Sequence, residues 1–158
     1  MLQRIQSIFL AITVIGMGVF VSFPVWTKIA VGGEQQASLT ALKLTHQLNP
    51  VQSNVDSVLY LLILAIVIAG VGAFALIKFR NRVLQSALCA VNSILMSTLL
   101  GLVVYLTFYK AAKLFDPQIP GDYTIGFYGL VAAMLANVMA NRYIRKDEKT
   151  VQQSNRLR

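Results

Sequence analysis

His46 and Cys89 are the single histidine and the single cysteine of this 158-residue sequence, and a general base, nucleophile or metal ligand would first be sought there. A protein metal site needs several such ligands at close spacing. No second His or Cys stands near His46, and the six acids are scattered, so a solvated loop histidine is its expected role. Cys89 lies within a long apolar run and has no partner for a disulfide, which leaves the redox compartment unread. No glycine-rich phosphate loop and no pair of acids within an apolar run is present. The expectation is therefore no catalytic residue, no metal, no cofactor and no enzyme.

The polar side chains that remain are set among apolar ones. Cys89, Ser93, Ser97 and Gly101 recur at every fourth position, with Asn92 beside them, and Gly129, Ala133, Asn137 and Asn141 do the same further on. Hydroxyls in such a helix can bond their own backbone carbonyls. An asparagine amide in lipid needs a partner from another helix. If the two runs are antiparallel neighbours, Asn92 and Asn137 lie at similar depth, and the pair is predicted to share a buried polar contact. A path for a small neutral solute lined by Asn92, Ser93, Ser97 and Asn137 is the alternative to a solid seam. Ala65, Ala69 and Ala73, with Gly70 and Gly72 beside them, let helix backbones approach closely. They serve packing within the chain or a homo-oligomer seam.

The elements that must position these groups are apolar helices. Residues 58–77 and 83–109 carry no charge and flank a basic knot of Lys78, Arg80 and Arg82. About 20 apolar helical residues cross the hydrocarbon core of a bilayer. Residues 5–26 form another such run, ending at Pro24 and Trp26, whose indole would rest among the headgroups. A secretory signal has an apolar core of about 7–15 residues closed by a small-x-small site. Residues 19–26 stay bulky, so a retained helix is predicted. With 56% hydrophobic and 13% charged residues, the composition excludes an ordinary soluble domain. The predicted fold is a single all-α integral membrane domain, a four-transmembrane-helix antiparallel bundle with spans at about residues 5–26, 57–77, 83–109 and 123–141.

Residues 27–56 form the longest polar segment. Its β-branched stretches, 26–31 and 38–45, surround the turn signal Val31-Gly32-Gly33-Glu34 and leave room for a small surface hairpin. Two strands alone are marginal, so they would rest on the helix ends. Asn49-Pro50 marks a turn, and residues 53–56 supply helix N-cap side chains. Residues 110–122, with Pro117, Pro120 and Gly121, read as a short irregular connection. The tail, 142–158, is basic and weakly amphipathic, and Arg145 and Glu148 at helical pair spacing let the last helix run on.

Charge sets the orientation. Arg4, Lys78, Arg80, Arg82, Arg142, Arg145, Lys146, Lys149, Arg156 and Arg158 lie on one side, and Lys28, Lys43, Lys110 and Lys113 on the other. Cytoplasmic loops carry the excess of Lys and Arg, so both termini are predicted to be cytoplasmic. Glu34, Asp56, Asp116 and Asp122 balance the outer lysines, which places the whole net charge of +8 on the cytoplasmic side. Anionic lipid headgroups account for such a charge. Nucleic acid is not expected, since no folded basic domain with interleaved aromatics accompanies it.

Three cytoplasmic words carry a resemblance. They are Met1-Leu2-Gln3-Arg4-Ile5-Gln6, then Asn81-Arg82-Val83-Leu84-Gln85, then Ala140-Asn141-Arg142-Tyr143-Ile144-Arg145-Lys146-Asp147-Glu148-Lys149 followed by Asn155-Arg156-Leu157-Arg158. Over essentially its whole length the chain resembles a bacteroidete membrane-protein family, domain of unknown function 4293. It departs at Asn155, where an acid is expected, and at Thr150, where an aliphatic residue is expected. The resemblance implies a four-span protein of the bacterial inner membrane and supplies no activity or ligand. It draws attention to one cytoplasmic basic face, Arg4, Arg82, Arg142, Arg145, Lys146 and Arg156. That face could meet anionic headgroups or a membrane-protein partner, which makes a non-enzymatic accessory or scaffold subunit the expected function. A channel or carrier for a small neutral solute is the alternative.

Overall fold

The computed structural model describes residues 2–30, 35–49, 52–78, 81–115, 118 and 121–156, without the side chains of residues 2–4, 49, 52, 152 and 154–156. Four helices form: α1 (Leu2–Ser22), α2 (Leu59–Ile77), α3 (Arg82–Tyr109) and α4 (Ile125–Arg156). Three of them, α1, α2 and α3, are long and apolar enough to cross a membrane, which marks a membrane protein. Their outward faces agree. Ile8, Ile12 and Ile15 of α1, Ile63 and Ile66 of α2, and Val91 and Ile94 of α3 are exposed. In water such a surface would be an aggregation hazard, whereas lipid tails are as apolar as the side chains themselves.

The helix ends follow local chemistry. α3 begins at an Asn81 N-cap, whose side-chain oxygen accepts from the Leu84 amide at 3.1 Å. α1 ends at Ser22, earlier than the predicted residue 26, because the chain turns through Pro24 into a strand. α4 is longer than its predicted span and continues through the charged segment to Arg156. At 32 residues it is about 48 Å long, more than a bilayer core requires.

The expectation of an all-α bundle of four spans is overturned twice. Among the described residues α4, the predicted fourth span, is not one of the helices apolar enough to cross. A five-stranded antiparallel sheet also stands at one end of the helices. Its strands are β1 (Trp26–Ile29), β2 (Gln36–Leu39), β3 (Lys43–Asn49), β4 (Gln52–Ser57) and β5 (Asp122–Tyr123), in the order β4-β3-β2-β1-β5. β1 and β2 pair as a hairpin near the predicted one, although its glycine turn, 31–34, lies outside the described residues. The stretch 38–45 is divided by a turn in which the Thr40 hydroxyl both accepts from the Lys43 amide at 3.1 Å and donates to the Lys43 carbonyl at 3.0 Å. Residues 53–56, expected as cap residues, are strand, paired with β3 in the register His46↔Asn54 and Leu44↔Asp56. A short 3-10 turn, Ala111–Lys113, leads toward β5, which adds to β1 through Trp26↔Tyr123.

The sheet buries one face over that turn. Alternation puts Trp26 and Lys28 of β1 beside Leu39 and Ala37 of β2, then Leu44 of β3, all nearly inaccessible. Trp26 is therefore core, not an interfacial anchor. Its ring lies so close over Gly121 that a Cβ there would stand 2.0 Å from Cζ2, and only glycine fits. The connection is closed by Thr124, whose hydroxyl donates to the Pro24 carbonyl, and by the Gly126 amide, which reaches the same oxygen at 3.0 Å. Lys28 passes beneath, its ammonium donating to the carbonyls of Ala112 at 2.9 Å and Phe115 at 3.0 Å.

At the opposite end, α1 starts beside the exit of the apolar part of α4. There Gln6 Nε2 donates to the Tyr143 carbonyl at 3.3 Å. α1 and α4 are thus antiparallel neighbours, and their backbones meet at Gly16 and Gly129.

Candidate functional site

The end away from the sheet holds the basic residues, and the structure separates them into two groups. Arg82 Nε lies 3.2 Å from Asp147 Oδ2, tying the start of α3 to the late turns of α4. Arg145 Nε donates to Ser86 Oγ at 3.3 Å, and that hydroxyl donates to Asn141 Oδ1 at 2.9 Å. Gln85, almost wholly buried, donates from Nε2 to the Ala75 carbonyl of α2 at 3.1 Å. These contacts latch the helix ends together, and Arg82 and Arg145 are part of the latch.

Arg142 and Lys146 are not. Both are exposed, and neither makes an ion pair with another described side chain. With Met139 and Tyr143 they line a cavity of about 280 Å³. Positions 139, 142, 143 and 146 fall on one helical face by the three-and-four spacing of side chains. The Tyr143 ring is held by stacking on Phe9 of α1, with ring centres 5.5 Å apart. Of the predicted basic face, the side chains of Arg4 and Arg156 lie outside the described residues.

The polar seam along the helices differs from its prediction. Asn137 does reach α3, but its Nδ2 donates to the Cys89 carbonyl at 2.9 Å and to Ser93 Oγ at 2.8 Å. Asn92 takes no part. Cys89 and Ser93 are one turn apart on the side of α3 that faces α4, whereas Asn92 is rotated about 100° from Ser93. It looks toward α2 and α1, its Nδ2 standing 3.7 Å from where a Cβ on Gly72 would be, with Thr13 near the same point. Both Asn92 amide atoms are buried without a hydrogen-bond partner among the described residues, and so is Asn137 Oδ1. The expected contact between the two amides is thus replaced by an amide clamped on a backbone and a second amide left unpaired. Ser97 and Gly101 are exposed, so the polar face does not continue along the seam. The hydroxyls bond their own helix: Ser93 to Cys89 O, Ser97 to Ser93 O and Thr107 to Val103 O, at 3.0, 2.9 and 2.8 Å.

These two asparagines should therefore respond oppositely. Asn137→Leu removes two hydrogen bonds and is expected to lower stability by about 1–2 kcal/mol. Asn92→Leu removes a polar group with nothing to lose and should be neutral or stabilising. Unfolding by graded addition of a denaturing detergent measures both. Equal losses would contradict the geometry.

His46 is not a solvated loop residue. It lies half-buried on β3, stacked on Phe115 at 5.5 Å between ring centres, with Nε2 shielded and unpartnered among the described residues. A second cavity, also about 280 Å³, is bordered there by Leu44, His46, Asn54, Val55, Asp56 and Leu114, of which Leu44, His46, Asn54 and Asp56 share one sheet face. Among the described residues, no three of His, Cys, Asp and Glu converge as metal ligands.

Gln6, Thr13, Gln85 and Ser86 were missed from sequence. Gln85 and Ser86 stand one turn before Cys89, on the same polar stripe, so extending that stripe toward the knot would have found them. Thr13, which donates to the Ala133 carbonyl at 3.3 Å, had no such signal.

A family model described as domain of unknown function (DUF4293) matches residues 2–157. No curated protein matches the chain.

Proposed function

The chain belongs to the DUF4293 family, and from its charges and polar groups we propose that it is a non-enzymatic inner-membrane accessory or scaffold subunit with its basic end in the cytoplasm. The observation that carries this reading is how polar groups are used. Along the helices they engage one another and the backbone, through Asn137, Ser93, Thr13 and Gln85, rather than converging on a reaction centre. At the basic end, Arg142 and Lys146 are left free of ion pairs with described side chains and face outward. Orientation follows the excess of Lys and Arg at that end, with the sheet on the opposite side of the inner membrane. Anionic headgroups and a membrane-protein partner are the contacts such an end would make.

Purification of the tagged full chain from its host in mild detergent, with mass spectrometry of what accompanies it, tests the reading. A stoichiometric partner is expected. It should be lost when Arg142 and Lys146 are both replaced by glutamine, a change that spares Asp147 and so leaves the Arg82 ion pair in place. Recovery of the chain with no partner in either form would contradict a subunit role.

A second reading, a path for a small neutral solute, rests on one observation: the amide of Asn92, unpaired among the described residues, at the meeting of α1, α2 and α3. Uptake of glycerol or urea by liposomes carrying the protein, abolished by Asn92→Leu, would favour it.

A further inference from the structure

We infer that the cavity bounded by Met139, Arg142, Tyr143 and Lys146 is a binding site for one anionic phospholipid, with the headgroup phosphate between Arg142 and Lys146. The inference rests on the proposed orientation and goes further, from a generally basic surface to a single site. Three observations support it.

First, the cations on this face are divided by use. Arg82 and Arg145 hold the helix ends together through Asp147 and Ser86, and the two that line the cavity make no ion pair with a described side chain. A guanidinium and an ammonium bordering one cavity attract an anion and have none within the described protein. Arginine offers a fork of donors that matches phosphate oxygens, and lysine a mobile point charge.

Second, the cavity grades from apolar to charged along the helix axis. Met139 lies toward the apolar helix, Tyr143 and Arg142 one turn on, and Lys146 beyond. The rise from 139 to 146 is about 10 Å. The layer between acyl chains and water in a bilayer is roughly 5–8 Å deep on each side. The order of side chains therefore follows the order of a lipid: acyl chain, glycerol and ester, phosphate. A soluble phosphate would have no use for Met139.

Third, the wall is rigid. Tyr143 is stacked on Phe9, and its backbone carbonyl is held by Gln6. Immobilised walls lower the ordering cost of binding.

The test is native mass spectrometry of the full chain in mild detergent, titrated with phosphatidylglycerol or phosphatidylcholine. One phosphatidylglycerol per chain should be retained in preference to phosphatidylcholine. Arg142→Gln with Lys146→Gln should weaken that retention by about 30-fold, as expected for two surface cations. Lys78→Gln with Lys149→Gln, the same loss of charge at the same end, should weaken it less than threefold. Arg142→Lys with Lys146→Arg keeps both charges and should keep binding, which excludes misfolding as the cause. Equal loss in the two glutamine pairs would overturn the inference, because diffuse charge would then suffice. Displacement of the lipid by glycerol phosphate at comparable concentration would overturn it too, since the site would then serve a soluble phosphate. The orientation is read separately, by labelling Lys149→Cys in intact cells. Labelling from outside would refute the cytoplasmic assignment while leaving the detergent measurement to stand.

Discussion

Gly16→Leu is expected to cost about 3 kcal/mol and to separate α1 from α4. A Cβ at Gly16 would stand 2.7 Å from the Gly129 carbonyl oxygen and 2.9 Å from the Ala133 Cβ, and the reciprocal Cβ at Gly129 would stand 2.8 Å from Val19 Cγ1. The first obstacle is backbone, which cannot move aside as a flexible side chain does. Relief would require the two helices to part along the contact that also carries the Thr13 bond to Ala133 and the Gln6 bond to Tyr143. Gly18 is the control. It faces outward with nothing within 4 Å, so Gly18→Leu should change stability by less than about 0.5 kcal/mol. Trp26, the single tryptophan and almost fully buried, reports unfolding by its fluorescence as denaturing detergent is added. Equal midpoints for the two variants would contradict the close approach.

Lys28→Met should cost nearly as much, about 3 kcal/mol, but locally. Lys28 is 2% exposed, and its ammonium donates to the Ala112 and Phe115 carbonyls and lies 4.8 Å from the centre of the Phe115 ring. Methionine fills a similar volume and supplies no donor, so the carbonyls and the ring lose their cation together. Phe115 also carries the His46 stack, which makes it the link between the connection after α3 and the sheet. The expected result is faster amide hydrogen exchange across residues 111–115 and in β3, with the exchange of α1 and α4 unchanged. Lys43→Met, at an exposed strand position, should leave exchange as it was. Global unfolding by Lys28→Met, or no change at all, would refute the local clamp.

The two experiments probe the two parts of the molecule that differed most in legibility. The apolar runs announced α2 and α3 almost to the residue, because a charge-free stretch long enough to cross a bilayer has few other uses. The Asn81 cap and the hydroxyls that bond their own helix are equally local, and local chemistry is written in consecutive residues. The sheet was not legible. β4, Gln52–Ser57, has no apolar alternation to mark it as a strand. It forms because β3 offers an edge for its backbone to pair with, while the side chains of residues 53–57 stay exposed. β5 is two residues long and exists through its pairing with β1, whose residues lie about a hundred positions earlier.

Rotation of the helices about their own axes was the other hidden quantity. Asn92 and Asn137 do lie in buried seams, yet about 100° of turn on α3 decides whether an amide meets α4 or α2. Cys89 and Ser93 won that position. By itself, then, the sequence determined which segments are apolar helices, where they change direction and on which end the positive charge collects. Hydropathy, turn residues and charge are properties of neighbouring residues, and they need no partner to take effect. Only the tertiary structure decided that a sheet caps the helices, that Trp26 and Lys28 are core, and that Arg142 and Lys146 stand apart from Arg82 and Arg145. Each of these depends on which distant surfaces meet, and close packing, not composition, selects among the faces a helix or strand can offer.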